Sequence, residues 1–264
     1  MAKIGRYGDK NAMNRLSGAY YGGEVVPMSR AKAVTWWRMA VTRGRAGAMR
    51  DLGHAYYDGE GVEVDYDKAF KLFKRSSANG HKPALPPLGI LYYHGHGVPM
   101  DKEIAFKTFQ KAIGCGDAAI NYWLGLSYAK GEGVTQDIER GIEFLSKAAE
   151  DKYGEAHYQL GLIFNRPGER YDRTRALNHW RPGSLLRHVE SMNVFAKAWR
   201  VGDGLPQNVE GATMIWLSAA NMGAPEACSP WALPTTIIPI LLSTRGWLKN
   251  GGGKARRLVM KKPL

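Results

Sequence analysis

The chain repeats itself every 36 residues, and that period constrains the fold more than any other feature. GEGVEVD at 59–65 returns as GHGVPMD at 95–101 and as GEGVTQD at 131–137. A period of this length marks a repeat architecture, in which no unit covers its own apolar face and stacked neighbours bury one continuous core. The residue closing the phrase recurs as Ser29, Asp65, Asp101, Asp137, Asp172 and Asn208, at intervals of 36 except for one of 35. All six are types favoured as a helix N-cap, where a side-chain oxygen accepts a first-turn N–H. Four residues past each cap stands a small residue: Ala33, Ala69, Ala105, Gly141, Ala176 and Ala212. Eight past it stands a bulky one: Trp37, Phe73, Phe109, Leu145, Trp180 and Trp216. These offsets share one helical face, so each cap is expected to open an amphipathic helix of about 14 residues, roughly 21 Å long. Glycine fifteen past the cap (Gly44, Gly80, Gly116, Gly223) suits a left-handed helix end.

A second helix is expected before each cap. Its stripe is Ala48, Leu52, Ala55 and Tyr56 in one unit, and the leucine recurs as Leu16, Leu88, Leu124 and Leu160, then as Phe195 and Trp231. The next residue is Ser17, Gly53, Gly89, Gly125, Gly161 or Ala196. Glycine inside a helix costs about 1 kcal/mol against alanine, so its recurrence points to a close backbone contact with the paired helix. A phosphate-cradling loop would need glycines between a strand and a helix, with a lysine or acidic partner at fixed offset. Neither is present. The glycine phrase is therefore a turn between antiparallel helices, with Val62 tucked into the gap.

These residues follow the pattern A-x3-LG-x2-Y-x2-G-x-GV-x2-D-x3-A-x3-W/F-x2-AA-x3-G, which 48–80 fit closely. The chain resembles the Sel1-like repeat family, relatives of the tetratricopeptide repeat, over roughly residues 8 to 231. The resemblance implies an all-α, right-handed solenoid of antiparallel helix pairs, about six repeats long. It also implies a non-catalytic adaptor or scaffold that binds other proteins. Some secreted relatives staple each repeat with a cysteine pair; Cys115 and Cys228 are the only cysteines here, which disfavours that branch.

The pattern breaks in three places. The fifth unit is one residue short, and Pro182 falls inside its second helix, so that helix is expected to end early or kink and the solenoid to bend near residue 180. Pro86 and Pro87 fall in a first turn, where proline is tolerated. At the start, Gly8 and Ala12 hold positions of an earlier unit, so residues 1–11 are expected to be part of one, with further sequence upstream. The solenoid is assigned to 12–231, irregular near 165–190, and 232–264 to an apolar segment and a basic tail.

Charge is concentrated at the ends. The first fifty residues hold ten Lys/Arg against two acids, a net +8; residues 245–264 hold seven Lys/Arg and no acid; the centre sums to −2. Partner-binding positions are accordingly placed at Arg38, Arg43, Arg45, Arg50, Arg245, Lys254, Arg256, Arg257, Lys261 and Lys262, facing protein partners in a large assembly or an anionic surface of acidic protein, RNA or lipid headgroups. The longest apolar run, near 237–242, is far short of the roughly 20 residues a membrane span needs. An intracellular or organellar home is expected rather than a disulfide-forming one.

Catalytic and metal-ligating sets are not identifiable, and no cofactor is expected. His94 and His96 flank Gly95, but His96 holds the turn position of Glu60 and Glu132, and no third ligand has a metal-like spacing. Tyr20, Tyr21, Tyr56, Tyr57, Tyr92, Tyr93 and Tyr128 could stack on bases, yet their register points to packing, with the second tyrosine of each pair the more exposed. An RNA-binding repeat protein stands as one alternative to the scaffold and a regulatory adaptor in signalling or protein quality control as another. A base-reading solenoid would carry lysines along every unit, whereas the central units carry no net basic charge.

Overall fold

The computed structural model describes residues 10–23 and 27–223, together with the pairs 247–248 and 256–257. Twelve α-helices run through the described residues as six antiparallel pairs, each pair comprising a helix A and a capped helix B. The chain divides into two compact units at Asp151/Lys152. The first unit holds α1 (Lys10–Gly22), α2 (Arg30–Thr42), α3 (Ala46–Asp58), α4 (Tyr66–Ala78), α5 (Leu85–His94), α6 (Lys102–Ala112), α7 (Ala118–Lys130) and α8 (Ile138–Glu150). The second holds α9 (Gly154–Phe164), α10 (Arg173–Leu185), α11 (Val189–Val201) and α12 (Val209–Asn221). A two-residue antiparallel ladder, β1 (Trp247–Leu248) with β2 (Arg256–Arg257), lies in the second unit. The rest of segment 232–264 falls outside the described residues, Arg245, Lys254, Lys261 and Lys262 included.

All six caps do what the sequence asks of them. The Asp65 carboxylate accepts the backbone N–H of Lys68 at 2.9 Å, Asp101 that of Ile104 at 2.8 Å, and Asn208 that of Gly211 at 2.7 Å. Ser29, Asp137 and Asp172 accept equivalently from Lys32, Arg140 and Arg175. Each helix B then buries its +4 and +8 residues: Ala69 and Phe73 are fully buried, as are Ala105 and Phe109. Such a ring contributes on the order of 2–3 kcal/mol of hydrophobic stabilisation.

The recurring glycine of helix A makes room for that ring more than for a backbone. A Cβ at Gly53 would stand 2.7 Å from Phe73, and one at Gly89 2.5 Å from Phe109. Only where the ring gives way to Leu145 do the backbones close up. There a Cβ at Gly125 would meet the Leu145 nitrogen at 2.8 Å, and Gly141 faces the Ala129 backbone.

Pro182 does not end α10. The helix runs thirteen residues, through the proline to Leu185, and it packs on both α9 and α11. Proline in a helix interior costs about 3 kcal/mol, but this one lies near the end. Just before it, Trp180 is buried and donates its indole N–H to the Tyr158 carbonyl; just after it, Gly183 is pressed against Ser191. That anchoring on both sides holds the last turn. The division between the two units falls earlier in the chain than Pro182, between α8 and α9.

Two residues expose a demand of the fold that glycine elsewhere conceals. Lys152 (φ 63°) and Arg187 (φ 64°) are the only non-glycine residues with positive φ among those described, and both stand fifteen past a cap, the position of Gly44, Gly80, Gly116 and Gly223. The left-handed turn is thus imposed by the helix pair, whatever residue occupies it.

Candidate partner-binding surfaces

The turn that joins helix A to helix B is also where one repeat grips the one before. Gly61 (φ 76°) brings its Cα against the start of α2, where an added Cβ would lie 2.5 Å from the Arg30 carbonyl carbon. Gly97 meets Tyr66 and Gly133 meets Lys102 in the same way. Beside each contact the first residue of helix B engages the turn residue thirty positions on. Arg30 pairs with Glu60, Lys102 Nζ lies 2.6 Å from Glu132, and Arg173 lies 2.5 Å from Asp203. At the equivalent place in the second repeat Tyr66 stacks on His96, ring centroids 4.5 Å apart.

A tyrosine completes the grip in the first three repeats. The Arg30 guanidinium sits 4.1 Å from the Tyr21 ring centre, Tyr57 packs edge-on against Tyr66, and the Tyr93 hydroxyl donates to Glu132 while Lys102 lies over its ring. Burial opposes the Glu132 carboxylate, but Lys102 and the Tyr93 hydroxyl outweigh it and hold its pKa below the ordinary value. Burial and the same carboxylate push Tyr93 upward. This corrects one expectation: the second tyrosine of the pair is exposed only at Tyr21, is half-buried at Tyr57, and is 8% accessible at Tyr93. The carboxylate that draws it inward belongs to the next repeat, out of sight of any single unit.

His94 and His96 stack on each other at 5.4 Å, and His94 also meets the edges of Tyr93 and Trp123. Burial, then His96, lowers the His94 pKa. Among the described residues no group of three or more His, Cys, Asp or Glu is placed to hold a metal ion. No described helix is long and apolar enough to cross a membrane.

Arg38, Arg43, Arg45 and Arg50 are spread over α2, the turn after it and α3. Arg38 is exposed on α2 and donates to the Tyr56 hydroxyl at 2.9 Å; Arg43 caps the end of α2, donating to Met39 O; Arg45 precedes α3; Arg50, half-buried on α3, is held by Asp51 at 2.6 Å. Sequence reasoning passed over Lys74, Arg75 and Lys111. They are exposed on α4 and α6 at the offsets where α2 carries Arg38 and Met39. Aligning the helix B columns would have found them. It also passed over an apolar row: Met28, Val64 and Met100, each just before its cap, are 62%, 51% and 64% exposed. In later repeats Gln136 and Gln207 take this place and donate to the last carbonyls of helix A.

In the second unit a cavity of about 610 Å³ opens between the starts of α9 and α11, lined by Lys152, Tyr153, Glu155, Arg187, His188 and Glu190 among others. His188 is the N-cap of α11, its Nδ1 accepting the Ser191 N–H, and its Nε2 lies 3.1 Å from Glu190.

Interlocked helix pairs with capped turns and open outer faces define an α-solenoid of the kind that binds other proteins. The chain belongs to the Sel1 repeat family, whose model matches residues 10–44, 46–81, 88–117, 120–153 and 154–188. Among solved structures it is similar to a Sel1 repeat protein from Oxalobacter formigenes, with TM-score 0.73 and 26% identity over 80% of this chain and 85% of that one. It is similar also to c5321, a protective antigen of uropathogenic Escherichia coli, with TM-score 0.62 and 27% identity over 83% of this chain. It spans only 48% of that antigen's length. The immunity protein Pa5087 of Pseudomonas aeruginosa shares the fold at TM-score 0.53 and 19% identity, over 87% of this chain and 86% of that one. A search of curated protein sequences found no match.

Proposed function

We propose that this protein is a non-catalytic scaffold, a peripheral or assembly subunit of a large multiprotein complex. The observation that carries this reading is the division of labour along each repeat. Turn glycines and turn carboxylates are consumed in holding repeats together, while apolar Met28, Val64 and Met100 stand in solvent, one in each of the first three repeats. Single exposed apolar residues are ordinary, but a row in repeat register is what a protein partner covers. The basic ends, Arg245 to Lys262 among them, add an attraction for acidic partner surfaces.

Size-exclusion of the native protein from its own cell extract tests this. Elution within a particle far above its 29.2 kDa mass is expected, and elution as a free monomer overturns the scaffold. A pull-down comparing residues 1–231 with the full chain then assigns the tail: loss of partners from the shorter form makes 232–264 part of the grip. Identical recovery removes it.

A further inference from the structure

The scaffold reading above leaves open what chemistry the outer face recognises, and the inference here rests on that reading. We infer that the outer face of α2, α4 and α6 is a three-rung cationic ladder for an extended acidic segment of a partner protein. Its rungs are Arg38 on α2, Lys74 and Arg75 on α4, and Lys111 on α6, all exposed.

Pairing within the helices separates these cations from their neighbours. In the first half of α4, Lys71 is held by Asp67 at 2.6 Å; in the first half of α6, Lys107 is held by Glu103 at 2.5 Å. Past those pairs the two helices carry no acid, and α2 carries none anywhere. Arg38 rests on Tyr56 and Lys74 lies over Phe70, so both heads are propped on aromatic rings, and no carboxylate among the described residues pairs with either. The ladder ends at α8, where Lys147 is paired with Glu143 at 2.7 Å and Glu150 follows.

A helix C-terminus attracts cations through its own dipole, which would account for Arg75 and Lys111 in the last turns. It accounts less for Arg38 and Lys74, which stand just before the last turns of their helices, Lys74 one residue ahead of Arg75. It does not account for α12, which carries Leu217 and Ser218 at the corresponding positions.

Rung spacing identifies the occupant. Arg38 and Lys68, on successive B helices, stand 5.9 and 5.3 Å from the same Tyr56 ring, so cationic heads of neighbouring B helices come within about 11 Å of each other. A polypeptide in the polyproline II conformation rises about 3.1 Å per residue with three residues per turn. Carboxylates at every third residue therefore recur on one side about every 9 Å and meet successive rungs. The band is only about two helical turns wide, flanked by Asp67 and Glu103. One acidic strand fits it, whereas a longer polyanion would run into the flanking carboxylates.

The test uses the full chain and a fluorescein-labelled peptide of about eighteen residues repeating Glu-Pro-Ser, read by fluorescence anisotropy at low and physiological salt. Arg38→Gln, Lys74→Gln, Arg75→Gln and Lys111→Gln together are expected to weaken binding about tenfold or more, each exposed contact contributing a factor of about two. Lys71→Gln with Lys107→Gln, which removes cations already paired, is expected to change it less than about twofold. Circular dichroism establishes that both variants keep the helical content of the parent. Equal weakening by the two sets overturns the ladder, as does undiminished binding by the fourfold variant. A labelled single-stranded RNA that binds more tightly than the peptide and is lost on the same four substitutions overturns the acidic-protein occupant. A native protein that elutes as a free monomer sinks the scaffold itself. If it elutes in a large particle while the peptide ignores the four substitutions, only the ladder fails.

Discussion

Glycine serves two separable purposes in these repeats, and substitutions can tell them apart. Gly44 (φ 75°) has nothing within 4 Å of where a Cβ would stand. Gly44→Ala should therefore lose only the left-handed strain energy, about 1 kcal/mol. Gly61 carries the same φ but faces the Arg30 backbone at 2.5 Å, so Gly61→Ala adds a steric conflict between repeats and should cost about 3 kcal/mol or more. Lys152 and Arg187 give the opposite case, each adopting at its own cost a conformation that glycine holds freely. Lys152→Gly and Arg187→Gly should each stabilise the protein by about 0.5–1 kcal/mol. Urea midpoints at constant slope measure all four; an unchanged or lowered midpoint for both glycine replacements would show that neighbouring contacts, not the helix pair, impose the turn.

At the level of the element, α9 and α10 form a joint sensitive to acid. His179 on α10 stacks on Phe164 at 5.6 Å and lies 5.8 Å from His157, with Arg175 placed over Phe164. Burial, then the His157 and Arg175 charges, lowers the His179 pKa to about 4. The folded state therefore holds this ring neutral where the unfolded chain, with a pKa of about 6.5, takes up a proton. Stability is full above about pH 6.5 and falls as pH drops towards 4. Lowering the pH from 7 to 5 should cost about 1 kcal/mol through this residue, after discounting for its partial exposure. His179→Phe should abolish that component, seen as a smaller difference between denaturation midpoints at the two pH values; an identical difference in parent and variant would place the acid sensitivity elsewhere. Much of each element was legible in the sequence, because a cap and a helical face are local chemistry written within fifteen residues. The fate of Pro182 was not, since its local cost is set against the burial of Trp180 and Gly183 on neighbouring helices. The clasps Arg30–Glu60, Lys102–Glu132 and Arg173–Asp203 join residues thirty apart in different pairs, so a reading made one repeat at a time could not meet them. Setting the column one past the cap against the column five before the next cap shows the matching signs. It also shows two exceptions: Tyr66 and His96 stack at those positions, and Ile138 and Pro167 hold them around the division between units, where neither can ionise.

For the molecule as a whole, a solenoid held by neighbour contacts has no single keystone, since its stability is a sum over repeats and the faces between them. The named clasps and turn glycines of the first unit all join consecutive repeats. Damage at one face should therefore spread only to adjoining pairs. Gly133→Ala tests this, because its Cβ would overlap the Lys102 carbonyl and force α7–α8 away from the start of α6. Native-state hydrogen exchange should show amide protection in α5 to α8 falling about 100-fold, as a cost near 3 kcal/mol implies. Protection in α2 and α3 should stay within about threefold of the parent. A uniform fall from α2 to α8 would instead mean that the first unit opens only as a whole, and that its repeats, however regular their text, are parts of one cooperative body.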